Sequence, residues 1–408
     1  VSFSLFIMVV LILFSTYIVF NILSEQALMV SVLIIFAISI PFNASTLVAA
    51  AATQGYKKLK YKAFVTQFIN PTILLLSMIT CFWFFSAESA LMFPMLITGI
   101  VGLVAMLKPI QHLSGVKPSQ FISAKFNYDL LKFSYPFMFV IILQTFMHWM
   151  DILMLGYFTN ATTVGLYHPA ARTAGLLQAL LMSFISIYAP MISQFHSEKN
   201  LIKMNNTYKM VTRWLLLFSI PIAIIFIIFP GNILSLFGKE YIASADVLII
   251  LTIATLLQAV SGAASPTLGM SGFTRVVLFN TLFAFILNFG LNYNLIPNYG
   301  INGAAYATLI TLIVIGSVRT IQVRFLLKMN FFSFKLLKPL VSGIATYYAI
   351  ISLKPFLSNF NFLVELLIAL PVCMLIYALI MFIMKLDEED RSFISSLGII
   401  KKGLKRNR

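Results

Sequence analysis

The sequence predicts an all-α polytopic membrane protein with 12 transmembrane helices, arranged as two pseudo-repeated helical bundles, the first incomplete, plus two C-terminal helices. Three observations carry this expectation. Of 408 residues, 60% are hydrophobic and 10% charged, whereas soluble domains hold about 45–50% apolar and about 25% charged residues. Apolar runs of about 20 residues recur along the chain, each long enough to cross roughly 30 Å of hydrocarbon as a helix. Segments of the second half also repeat segments of the first, in the same order.

The runs place the spans at 2–23, 27–51, 64–85, 90–107, 133–158, 163–192, 214–230, 246–268, 274–296, 301–323, 336–353 and 362–385. The first starts at once, and no small-residue cleavage site follows it, so it reads as a membrane helix rather than a removed leader. Most connections are short; the stretches 108–132 and 193–213 are the long ones. The composition supplies bulk rather than catalytic chemistry, with 39 Phe and 19 Met. Cys81 and Cys373, the two cysteines, sit inside apolar runs. Two such thiols make neither a disulfide framework nor a metal-ligand spacing, and no metal or other cofactor is expected.

A net charge of +16 would suit nucleic acid, but its distribution points elsewhere. All 28 Lys and Arg except Arg172, Lys239 and Lys354 fall in alternate connections or in the span ends that border them, beginning with Lys57, Lys58, Lys60 and Lys62. The opposite connections carry Glu25, Glu88, Glu240 and Asp246. That asymmetry is the positive-inside pattern and predicts both ends in the cytoplasm. The basic loops suit anionic lipid headgroups and lack any nucleic-acid reading motif, so no nucleic-acid partner is expected.

The repeat is the most informative feature. Asn21-Ile22-Leu23-Ser24 returns as Asn232-Ile233-Leu234-Ser235, and Leu33-Ile34-Ile35 as Leu248-Ile249-Ile250. Gly55-Tyr56-Lys57-Lys58 corresponds to Gly272-Phe273-Thr274-Arg275, and Asn70 to Asn288. Spans one to four thus pair with seven to ten, while spans five and six find no partner upstream. The expected plan is six helices plus six, then two more, with this chain starting at the third. It divides the sequence into an incomplete bundle (1–107), a cytoplasmic connector (108–132), a six-helix bundle (133–323), two extra helices (336–385) and a charged cytoplasmic tail (386–408).

Family likeness enters through a series of motifs. Asp151 through Gly156 is followed by Val164-Gly165-Leu166-Tyr167 and Pro190-Met191-Ile192-Ser193. Then come Phe229-Pro230-Gly231-Asn232-Ile233-Leu234, Phe237-Gly238 and Tyr241, and later Leu295-Ile296-Pro297 and Tyr299-Gly300-Ile301-Asn302-Gly303-Ala304-Ala305. Together with Gln54-Gly55-Tyr56-Lys57-Lys58, this set resembles the polysaccharide flippase family (O-antigen or lipid-linked oligosaccharide flippases) of the MATE-like MOP superfamily. The likeness covers about residues 1–330 and implies a two-bundle, fourteen-helix transporter with no cofactor. It implies alternating-access flipping of an undecaprenyl-pyrophosphate-linked oligosaccharide across the bacterial inner membrane, for surface polysaccharides such as lipopolysaccharide O-antigen. The expected setting is membrane lipid, with a monomeric chain and other polysaccharide-assembly proteins as partners.

Two full charges lie well inside spans, Asp151 and Arg172. Each costs roughly 2.5–3.5 kcal/mol at the bilayer centre, so each needs a partner or water. By the 1.5 Å helical rise they lie roughly 10 and 13 Å from the outer turn at Thr159–Thr162. They could form an ion pair, or Arg172 could meet a phosphate through its planar, permanently charged fork. Ala170-Ala171-Arg172-Thr173 also resembles the cavity-lining eighth-helix arginine of lipid II flippases. His148 precedes Asp151 by three residues and His168 precedes Arg172 by four, so each pair shares a helical face. His148 or Asp151 could couple transport to protons, or His148 could be an ordinary bonded imidazole.

Gln144, Gln178 and Asn288, among other in-span amides, suit sugar recognition or plain interhelical bonding. Gln258 through Pro266 is a small-residue stretch suited to close packing or to a bend. The acidic run Asp387–Asp390 reads as a solvated face. A drug antiporter of the same superfamily is the alternative function, though it should offer acidic cavity residues. A membrane-embedded polymerase or glycosyltransferase is the second, though external carboxylates suited to it are not evident; the leading expectation is no enzyme.

Overall fold

The computed structural model describes residues 2–23, 27–56, 58–115, 128–330, 332–357 and 361–384. Ser24, Glu25, Lys57, residues 116–127 of the expected connector and the expected tail 386–408 lie outside the described residues. Every regular element among the described residues is helical. Among the described residues, eleven helical runs are long and apolar enough to cross a membrane. One of them, of 54 residues, contains two of the twelve expected spans. The protein is a multi-pass membrane protein, and it divides into two compact units, Val1–Tyr128 and Asp129–Arg408.

In the first unit, α1 (Ser2–Tyr17) runs into a π-helical turn, Ile18–Leu23. Next come α2 (Ala27–Gly55), α3 (Leu59–Phe64), a second π-turn (Val65–Ile69), α4 (Asn70–Phe84) and α5 (Ala87–Ser114). The expected span 64–85 is therefore interrupted rather than regular. Pro71 follows Asn70 directly and has no N–H to donate back, which breaks the local ladder where the π-turn ends. Helix α5 outruns its expected limits of 90–107 at both ends. Ser86 and Ser89 form a reciprocal cap at its start, and Gly115, at φ 69°, ends it in the left-handed conformation. Its glycines let neighbours approach: a Cβ on Gly102 would collide with the Asn70 side chain, and one on Gly99 would crowd Asn43.

The second unit holds the long helices α6 (Tyr128–Phe158), α7 (Ala161–Ser197) and α8 (Leu201–Ile228). Then follow the short α9 (Pro230–Leu234), α10 (Ala245–Ser261), the short α11 (Ala264–Met270) and α12 (Thr274–Leu327). Helices α13 (Leu337–Leu357) and α14 (Phe362–Ile383) complete the unit. The expected long connection 193–213 is a correction. Only a tight turn separates α7 from α8, because Asn200 caps α8 by accepting from the Lys203 amide at 3.0 Å and the polar residues after it stay helical. The small-residue stretch both bends and packs closely. The chain breaks between α10 and α11, and Gly316 of α12 leaves room for Ser261.

Helix α8 is the most buried span, and α7, α10, α13 and α14 all pack on it. The order of packing in the first unit, α1 on α2 and α2 on α5, parallels α8 on α10 and α10 on α12 in the second. The two last helices are tied in at several points. Gly343 faces Ile220 so closely that a Cβ would clash. Lys354 donates to the Ile228 carbonyl at 2.8 Å, at the C-terminus of α8, which explains this exception to the charge pattern: a cation there satisfies an orphan acceptor and the helix dipole. Asn232 of α9 donates to the buried Glu365 carboxylate of α14.

Candidate functional site

The site elements are α6, α7 and α12. Helices α6 and α7 meet at a two-residue turn, where the Asn160 side chain accepts from the Thr163 amide at 2.9 Å and so starts α7. Helix α12 is bent at Gly300, whose φ of 55° and ψ of −130° are not helical. The bend folds its two limbs against each other, and polar side chains bridge them. Asn280 and Gln322 exchange two amide hydrogen bonds, of 2.6 and 2.9 Å. Nearer the bend, Asn288 donates to Thr311 at 3.5 Å.

Asp151 sits where these elements converge. Its Oδ2 accepts from the Tyr167 hydroxyl of α7 at 2.9 Å and from Thr308 of the second limb of α12 at 2.7 Å. Its Oδ1 accepts from Asn292 of the first limb at 2.9 Å, and Asn292 also donates to Asn288 Oδ1 at 3.1 Å. Asn292 and Thr308 lie eight residues either side of Gly300, so one bend brings both to the same depth. A carboxylate in hydrocarbon needs such donors. Asp151 therefore binds two neighbouring helices to its own.

The expected pair of Asp151 with Arg172 does not form, and the reason is register. Reflected about the turn between Phe158 and Ala161, the residue facing Asp151 is near Tyr167, not Arg172. Arg172 lies one helical turn deeper. Tyr167 is buried and takes the carboxylate, whereas Arg172 is exposed.

Arg172 belongs to a separate cluster. Its Nε donates to His168 Nε2 at 3.3 Å, which requires the imidazole proton to sit on Nδ1. Its guanidinium carbon lies 5.7 Å from the centre of the Trp149 ring, within cation–π range. Trp149 in turn meets His148 edge-on at 5.6 Å between ring centres. His168 and a flat ring thus orient the guanidinium and leave its terminal nitrogens for another partner.

Of the other candidates, Gln144 is exposed one turn from His148, as expected for residues sharing a face. Gln178 is half-buried and, six residues past Arg172, lies on a different face of α7. Asn288 has the interhelical-type bonding that is one of its two expected roles. It is buried and bonded within α12. Sequence reasoning overlooked Tyr167 and Thr308 as partners of Asp151. The reflected register would have found Tyr167; no local pattern marks Thr308. Among the described residues no group of three or more His, Cys, Asp or Glu could hold a metal.

Comparison with known proteins gives consistent matches. The MatE family profile matches residues 136–294 and the "Polysaccharide biosynthesis protein" profile matches residues 1–196. Two proteins of Haloferax volcanii are similar. The probable low-salt glycan biosynthesis flippase Agl15 is 28% identical over 170 residues, covering 41% of this chain and 36% of the relative. The probable flippase AglR is 29% identical over 185 residues, covering 43% and 37%. The matches thus span little more than a third of each relative's length. The solved lipid II flippase MurJ, in an inward closed conformation, shares the fold with a TM-score of 0.69. It is 17% identical, and the match covers 97% of this chain and 82% of that one. Residues 1–196 thus resemble polysaccharide biosynthesis proteins and residues 136–294 resemble the MatE family, and the chain shares its fold with a solved MurJ.

Proposed function

We propose that this chain moves an undecaprenyl-pyrophosphate-linked oligosaccharide across a bacterial inner membrane by alternating access, with both ends in the cytoplasm and without covalent chemistry. The observation that carries this reading is Arg172: an exposed guanidinium within an apolar span, oriented by His168 and Trp149. A cation at that depth is costly beside lipid, so this face of α7 lines a wet path. A pyrophosphate is the natural partner, because two parallel N–H donors match a phosphate edge. His148 and Gln144 extend the polar face and would meet the pyrophosphate or the first sugar. The flippase names of the similar proteins support the substrate class. An inside-negative potential would assist outward movement of an anion by about 2.3 kcal/mol per charge per 100 mV.

The test uses the full-length protein in proteoliposomes with a fluorescent lipid-linked oligosaccharide and an external quencher. Arg172→Ala should abolish flipping while leaving purified yield and melting temperature nearly unchanged, since Arg172 supports no buried network. Arg172→Lys should restore only part of the rate, because an ammonium cannot reproduce bidentate geometry. Flipping by Arg172→Ala at the wild-type rate would remove the basis of the proposal.

A further inference from the structure

A pyrophosphate that joins a lipid to a sugar carries one negative charge on each phosphate. It lacks the further ionisation near pH 6 of a phosphate monoester, so its charge is constant around neutral pH. Residues 133–192 set one permanent cation against those two charges, since Arg172 is the sole Lys or Arg in that stretch. Net charge inside a membrane is costly, and a second positive charge beside Arg172 would cancel it. The side chain placed to supply that charge is His168.

His168 stands one turn before Arg172 on α7, half-buried beside the exposed guanidinium. Its Nε2 accepts from Arg172 Nε at 3.3 Å, so the imidazole of this arrangement is neutral and carries its proton on Nδ1. Protonation at Nε2 would break that bond and set two cations side by side, which is unfavourable without an anion. A bound phosphate reverses the balance, because its oxygens accept from both cations while the Trp149 ring, 5.7 Å from the guanidinium carbon, still supports Arg172. Imidazole is the side chain suited to such a change between about pH 5 and 8.

Few other ionisable groups share this face. On α6, Asp151 is bonded to Tyr167, Asn292 and Thr308, and His148 meets Trp149 edge-on at 5.6 Å between ring centres. The elements packed on α7 are α8, α10, α11, α12 and the 3-10 turn Lys239–Ser244. They hold Ala170, Ala174 and Leu177 in a buried cluster, on the side of α7 opposite His168 and Arg172. Their acids and cations lie at the ends: Lys239, Glu240 and Asp246 are exposed, α8 has none after Arg213, α11 has none, and α12 has none between Arg275 and Arg319.

On the reading that Arg172 meets a pyrophosphate, we propose that His168 is a positioning residue that also takes up a proton with the ligand. As a neutral acceptor it holds Arg172. When the pyrophosphate binds, the bond from Arg172 Nε to His168 Nε2 breaks, and a proton from water adds to that nitrogen. Two phosphate charges then face two cations.

Calorimetric titration of the full-length protein with citronellyl-pyrophosphoryl-N-acetylglucosamine, in buffers of different ionisation enthalpy, counts the protons. Wild type should take up about one proton per ligand, and its Kd should rise with pH by up to about tenfold per pH unit, because the bound state holds the extra proton. His168→Gln keeps an oxygen to accept from Nε but cannot ionise; it should bind without proton uptake, at a Kd that does not change with pH. His168→Ala also loses the acceptor and should bind several-fold more weakly than His168→Gln at every pH, as positioning requires. His148→Gln should retain the proton uptake. Uptake that is absent in wild type, persists in His168→Gln or vanishes in His148→Gln would overturn this inference and leave the contact at Arg172 standing. No binding by wild type, or binding by Arg172→Ala at the wild-type affinity, would overturn the pyrophosphate reading itself, and the role of His168 with it.

Discussion

Removing the Asp151 carboxylate should destabilise the second unit through Tyr167, Asn292 and Thr308, and not through Arg172. Three side chains donate to it at 2.7–2.9 Å. Interhelical hydrogen bonds in membranes average about 0.6 kcal/mol and reach about 1.7, and a carboxylate acceptor favours the upper part of that range. Asp151→Ala should therefore cost about 2–5 kcal/mol. Double-mutant cycles divide that sum. The pairs Asp151→Ala with Thr308→Val and Asp151→Ala with Tyr167→Phe should each show a coupling of about 1 kcal/mol. The pair with Arg172→Ala should be additive within about 0.3–0.5 kcal/mol, as for side chains that share no partner. Reversible unfolding in mixed micelles, followed by tryptophan fluorescence, supplies the free energies. A coupling above about 1 kcal/mol between Asp151 and Arg172, or none between Asp151 and Thr308, would refute the assignment.

Gly300→Ala should cost about 1–3 kcal/mol, because φ 55° with ψ −130° is open to glycine and strained for any side chain. The same unfolding assay reads it, and a neutral result would mean that the bend can relax without loss. Glu365→Ala should cost about 1–3 kcal/mol by leaving the Asn232 amide without its acceptor. Glu365→Gln retains a carbonyl oxygen and should melt near the wild-type temperature.

Much of this organisation is legible in the chain because hydropathy and charge act locally. A run of twenty apolar residues spans a bilayer whatever its neighbours do, and so the spans could be placed without tertiary information. What could not be read is side-chain pairing across helices. Asp151 and Arg172 are the conspicuous charges, and attraction between them is the obvious guess. The geometry of the turn at Asn160 instead sets a register that offers Tyr167 to the carboxylate. Thr308 reaches Asp151 only because α12 bends at Gly300, a backbone property of one residue far along the chain. Helix ends were also misplaced at 193–213, since caps such as Asn200 let polar residues continue a helix beyond the hydrocarbon.

The same physics separates the polar residues that hold the fold from those available for the proposed transport. In a medium without water, a polar side chain is either satisfied by protein or faces a place that water can reach. Asp151, Asn280, Asn288 and Asn292 are of the first kind, each bonded to another helix or across the two limbs of α12. Arg172 is of the second kind, with His148 and Gln144 exposed on the neighbouring helix. The two kinds meet along α6, where His148 and Asp151 are three residues apart. A rigid carboxylate junction thus anchors the helix pair one turn from an exposed guanidinium. In the proposed role, the cation would exchange water for a phosphate without disturbing the bonds that keep its helix in place. Had Arg172 been paired with Asp151, each binding event would have stranded a carboxylate in the membrane. Keeping the two apart would let the proposed site bind and release an anion with the anchoring network intact.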